Sequence, residues 1–120
     1  MIDDVFCKII KKEILAEIIE EEEDWLAIKD IHPQAPVHVL IIPKKHIGGI
    51  GEIENEDTEL AGKLLAATAK VAKKLGLDEK GYRIIANQGE HGGQVVPHLH
   101  IHLLGGRRLG AKIVRDPGTV

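Results

Sequence analysis

The sequence has one cysteine, Cys7, so no internal disulfide can form, and this points to a reducing compartment. Aromatic side chains are scarce: Phe6, Trp25 and Tyr82 are the whole inventory. A core must therefore be aliphatic, drawn from Ile, Leu, Val and Ala. There is no basic arm or arginine-rich stripe, and the formal net charge is -3, which argues against a nucleic-acid partner. No apolar run approaches the length that crosses a bilayer, and the first residues lack a signal-peptide pattern. The expectation is a cytoplasmic protein without a membrane partner. No repeat, low-complexity tract or linker interrupts the 120 residues, which suit a single domain with a core over about residues 5–107 and a tail over 108–120.

What is present is hydrophobic patterning. Val5, Phe6, Ile9 and Ile10 predict a short amphipathic helix over Val5 to Lys12. Glu17 to Glu20 and Trp25 to Lys29 predict two strands joined by an acidic, solvated turn. Pro33 and Pro36 make 31–36 a loop. Val37 to Ile42 is a continuous apolar run with one exception, His38, and predicts a strand buried on both faces. Leu60, Leu64, Ala67, Val71 and Leu75 mark the buried stripe of a long helix capped near Asn55, Asp57 or Thr58 and stopped at Gly76. Tyr82 to Asn87 and Val95 to Gly105 predict the last two strands, paired as a hairpin across a short glycine-rich turn. The fold class is thus α+β: a mainly antiparallel five-stranded sheet with one long and one short helix. Exposed sheet edges and a helix rich in small residues suggest a homodimer.

The chemistry concentrates in His98-Leu99-His100-Ile101-His102. On a strand, alternate side chains share a face, so the three imidazoles line up while Leu99, Ile101 and Leu103 enter the core. Half-exposed, solvated histidines are one reading. A metal site is another, because imidazoles ligate zinc, although Glu90 is the only acid close by in sequence. The third is nucleophilic catalysis. A neutral imidazole whose Nδ1–H is bound to a carbonyl offers Nε2 to phosphorus, a neighbouring imidazole moves the proton, and backbone N–H groups of the Gly89 to Gly93 loop stabilise the developing charge.

These residues resemble the histidine triad (HIT) family. His98-Leu99-His100-Ile101-His102-Leu103-Leu104 is similar to its His-φ-His-φ-His-φ-φ signature, φ being apolar. Further blocks match in order: Phe6 to Ile10, Asp30 to His38, Ile42 to Ile47, Gly81-Tyr82-Arg83, Gly92-Gly93-Gln94 and Leu103 to Arg107. The combination resembles the nucleotide-binding (Hint) branch in particular.

That resemblance implies the HIT-like fold, a homodimer, and hydrolysis of purine nucleoside 5′-phosphoramidates to the mononucleotide and an amine, with no cofactor and no metal. It implies His100 as nucleophile, flanked by His98 and His102, with His38 as a fourth active-site histidine. Asp30 would hold the ribose hydroxyls. Val5, Phe6, Ile9, Ile14, Ile28 and Ile31 would form the apolar base pocket, and Asn87, Gly93, Gln94 and Val95 would lie where the phosphate is approached. Two departures stand out. Val95 replaces a hydroxyl residue of many relatives, which removes a donor. Asp4 replaces the first cysteine of a Cys-x-x-Cys that helps some relatives hold zinc, leaving Cys7, His38 and His98, with Asp4, as a reduced set. Alternative functions are a nucleotide-binding regulatory module with incidental hydrolysis and a zinc-binding member of the family.

Overall fold

The computed structural model describes residues 3–110; the part of the tail beyond them lies outside the described residues. Five strands, β1 (Ile18–Glu21), β2 (Trp25–Lys29), β3 (Val37–Pro43), β4 (Arg83–Ile85) and β5 (Ile101–Gly105), form one sheet in the order β1-β2-β3-β5-β4. Every pairing is antiparallel. Helix α1 (Val5–Ile10) precedes the sheet, and α2 (Thr58–Lys74) lies between β3 and β4 after two short 3-10 turns.

Local chemistry accounts for the ends of these elements. The Asp4 carboxylate caps α1 by accepting the Cys7 N–H at 2.8 Å. The helix stops at Ile10, two residues before the expected Lys12, because Lys12 adopts a left-handed φ of 64°. At the end of α2, Gly76 (φ 74°) and Leu77 donate their N–H groups to the Lys73 and Ala72 carbonyls, a Schellman closure at the predicted stop.

Alternation along the central strands separates two apolar clusters. Val39 and Ile41 of β3 with Ile101 and Leu103 of β5 meet Leu64, Ala67 and Val71 of α2. Leu40 and Ile42 emerge on the opposite face and join Phe6 and Ile9 of α1 with Leu26 and Ile28 of β2. Strand β3 is buried on both faces, as its apolar run predicts.

Three expectations change. The acidic turn is not simply solvated: Lys70 pairs with Glu20 and Glu22, Lys74 with Glu20, and Lys63 with Asp24, which ties the β1–β2 hairpin to α2. The last two strands do pair, but residues 86–100 form a long connection rather than a short loop, and β4 is shorter than Tyr82 to Asn87. Strand β5 begins at Ile101 rather than Val95. Pro97 has no N–H for a ladder, His98 turns back to bond the Val96 carbonyl, and Leu99 donates instead to the Ile47 carbonyl.

Candidate active site

The register of β3 against β5 sets His38 opposite Leu104 and His102 opposite Leu40, so both imidazoles leave the face remote from α2. Leu99 joins the α2-side core with Ile101 and Leu103, while His98 and His100 go the other way, so the alternation continues beyond the end of the ladder. Phe6 of α1 packs edge-on against both rings, with centroids 5.8 Å from His98 and 5.0 Å from His100. The His102 ring lies 5.1 Å from His100 and 5.2 Å from His38. The fold thus brings together all four predicted histidines.

Burial of His38, His98 and His100 is costly unless their nitrogens are paired, and among the described residues no buried side-chain nitrogen or oxygen lacks a partner. Those partners fix the tautomers. The Gln34 N–H donates to His38 Nδ1 at 3.0 Å, so the His38 proton sits on Nε2. His38 Nε2 then donates to His102 Nδ1 at 2.9 Å, which leaves His102 carrying its proton on Nε2. His100 is set the other way: its Nδ1–H donates to the His98 carbonyl at 2.7 Å, so its Nε2 holds the lone pair.

Burial lowers the His100 pKa and keeps the ring neutral. Burial, with His100 and His38 beside it, pushes His102 down to about 4. One ring with an available lone pair beside one with an N–H donor is an arrangement suited to nucleophilic attack and charge stabilisation.

A second cluster lies at the His98 end. Asp4 Oδ2 is 3.2 Å from His98 Nδ1 and 3.3 Å from His46 Nδ1, and Cys7 Sγ is 3.5 Å from His46 Nδ1 and 3.6 Å from His98 Nδ1. One ligand atom from each of the four residues lies within 4.8 Å of the others, so the cluster could hold a divalent transition metal. The reduced set expected from sequence is corrected here: His38 is not part of it, because β3 sends that ring to His102 and Asp30, and His46 stands in its place. Burial works against the Asp4 charge, but the Cys7 N–H and the neighbouring His98 bring its pKa below the ordinary value. Burial and the Asp4 charge push the Cys7 thiol up.

The remaining predicted residues surround these rings unevenly. Asp30 accepts the His32 N–H at 2.8 Å through Oδ1, and its Oδ2 lies 3.4 Å from His38 Nε2, with lone pairs to spare on both oxygens. Phe6, Ile9 and Ile28 are buried together, whereas Val5 and Ile14 are exposed and Ile31 more so.

Asn87 donates to the Gly92 carbonyl at 2.6 Å. Gln94 accepts the Gly89 N–H and donates to the Gly48 and Val96 carbonyls. Both amides therefore brace the loop that carries Gly93. A Cβ at Gly92 would collide with the Gln88 backbone, which accounts for the glycine there. Val95 is 90% exposed, so its side chain is free of the core. Two residues of the site, His46 and Gln34, carry no role expected from the sequence. His46 follows β3 at its Pro43 end and carried a usable signal as an imidazole, whereas Gln34 acts through its backbone, which no side-chain pattern reveals.

Known proteins share this frame. The HIT domain pattern matches residues 11–109. The chain belongs to the HIT family, and its α+β sheet and long helix are the HIT fold. It is 44% identical over 106 residues to the purine nucleoside phosphoramidase of Escherichia coli K12, covering 88% of this chain and 89% of that relative. A HIT family hydrolase from Clostridium thermocellum superposes with a TM-score of 0.90 at 52% identity, covering 95% of this chain and 99% of the other. A HIT family hydrolase from Legionella pneumophila gives 0.87 at 47% identity, covering 90% and 96%.

Proposed function

We propose that this protein hydrolyses purine nucleoside 5′-phosphoramidates through a nucleotidyl-histidine intermediate on His100. The observation that carries this reading is the 2.7 Å bond from His100 Nδ1–H to the His98 carbonyl, which leaves a neutral Nε2 with its lone pair available for attack. The similarity to the E. coli phosphoramidase supports the substrate class.

In the first step Nε2 of His100 attacks the α-phosphorus and the P–N bond breaks. The amine leaves with a proton from the imidazole cluster. In the second step water attacks phosphorus, the P–Nε2 bond breaks, and the mononucleotide departs as the proton returns to the cluster. His102 directs its Nε2–H toward the transferred group. Its pKa of about 4 keeps it neutral in the ligand-free site, and the negative charge of a bound phosphoryl group acts to raise it.

Phe6, Ile9 and Ile28 offer an apolar seat for the base, with Val5, Ile14 and Ile31 at its rim. Asp30 takes the ribose hydroxyls, and the loop braced by Asn87 and Gln94 presents backbone N–H groups, Gly93 among them, to the phosphate. Val95 brings no hydroxyl, so the leaving amine gets one donor fewer.

The protein acts in the cytoplasm as a homodimer, joined through α2 and a strand edge; Leu65 on α2 and Ile84 on the outer strand β4 are exposed apolar residues there. A stable monomer by light scattering at micromolar concentration would rule out that assembly. Catalysis is tested by incubating the protein with adenosine 5′-monophosphoramidate and following release of ammonia and AMP. Absence of turnover, with AMP still bound, would favour a nucleotide-binding regulatory module instead.

A further inference from the structure

Asp4 has no part in the chemistry above, yet its side chain is only 5% exposed and touches the fully buried ring of His98. Its two oxygens have separate tasks. Oδ1 accepts the Cys7 N–H and starts α1. Oδ2 faces His98 Nδ1 at 3.2 Å and His46 Nδ1 at 3.3 Å, while the other nitrogen of the His98 ring faces the Pro43 carbonyl at 2.9 Å. Each nitrogen of the His98 ring therefore faces an oxygen, and the imidazole sits between the end of β3 and the start of α1. The carbonyl of the same residue takes the His100 Nδ1–H. This segment lies outside the β5 ladder, so His98 has no strand pairing to hold it.

We propose that Asp4 is a positioning residue for His100. Its carboxylate fixes the His98 ring, the ring fixes the His98 backbone, and the His98 carbonyl holds His100 with its proton on Nδ1 and its lone pair on Nε2. The proposal rests on His100 being the nucleophile, as far as the rate effect is concerned. Its effect on tautomer does not depend on any substrate.

Asp4→Asn separates the two tasks. The amide oxygen can still cap α1, but its NH2 group can only donate to His98 Nδ1, which reverses the bond and removes the charge. Asp4→Ser keeps a capping oxygen and reaches no ring, so it removes the His98 contact outright, and Asp4→Asn serves if the serine variant fails to fold. In Asp4→Ser, kcat for adenosine 5′-monophosphoramidate should fall about 10²-fold, the loss that a misplaced reacting group causes, and Asp4→Asn should lose less. AMP affinity should stay within about threefold, because the base and ribose contacts are untouched.

Imidazole 15N spectra give the second readout: His100 should be the Nδ1–H tautomer in the wild type and a mixture of tautomers in the variants. A kcat of Asp4→Ser within about twofold of wild type would overturn the proposal, as would equal losses in kcat and affinity. So would an unchanged His100 tautomer, or a stoichiometric metal ion bound by Asp4 and His98 in the purified protein. If the wild type itself releases no amine, the functional reading fails, and the 15N spectra still decide whether Asp4 sets the tautomer.

Discussion

On the face of the sheet beneath α2, β3 and β5 contribute Val39, Ile41, Ile101 and Leu103, and the contacts are apolar. On the other face the same two strands contribute His38 and His102, and the chain just before β5 adds His98 and His100. The first face needs only shape and area to stay buried. The second needs each nitrogen matched to a donor or an acceptor, and backbone groups of Gln34, Pro43 and His98 supply much of that matching. Alternation thus lets one short segment be both anchor and reagent. A change on one face should act mainly through stability, and a change on the other mainly through chemistry.

The largest effect that could break this division is at His100. His100→Gly should lower phosphoramidate turnover by at least about 10³-fold while nucleotide affinity stays within about tenfold, as read by steady-state kinetics and calorimetry. Next is its counterpart on the dry face. Leu103 is fully buried, so Leu103→Ala should cost about 2–5 kcal/mol in denaturant unfolding. Turnover per folded molecule should then change by less than about tenfold, and a loss comparable to that of His100→Gly would end the division between the faces.

The pH dependence is a smaller, graded test. The His102 pKa of about 4 lies below that of an unfolded histidine, so the unfolded chain binds the extra proton first. The stability linked to His102 is complete above about pH 6.5 and is lost as pH falls toward 4, on the order of 2–3 kcal/mol. Thermal unfolding across that window should show the loss, and His102→Gln should reduce it.

The smallest effect concerns the ribose. A dry carboxylate that loses one hydroxyl partner forfeits roughly 1–3 kcal/mol, so binding should favour ribonucleotides over 2′-deoxy analogues by about tenfold to hundredfold. Asp30→Ala should largely erase that preference. An unchanged ratio would confine Asp30 to its bond with His32 and its contact with His38.

The apolar face was the more legible one. The stripe on α2, the run in β3 and the stop at Gly76 each follow from spacing and backbone preference. On the imidazole face the residue types could be read, and the alternation of the three histidines with leucine and isoleucine announced a shared side. The start of β5 could not be read from that alternation, because Pro97 breaks the ladder without breaking the alternation. The tautomers were out of reach as well, since backbone carbonyls and N–H groups set them. The Asp4, Cys7, His46 and His98 cluster joins residues up to 94 positions apart, a proximity that only tertiary packing creates.

The central claim is that His100 Nε2 becomes bonded to phosphorus. Its most direct test is rapid mixing of the protein with a nucleoside 5′-phosphoramidate, quenching within the first turnover, and intact-mass analysis followed by peptide mapping. A transient added mass of one nucleotidyl group is expected, located on His100 and absent from His100→Gly. Full hydrolysis by the wild type with no such adduct at any time, or an adduct on another residue, would contradict it.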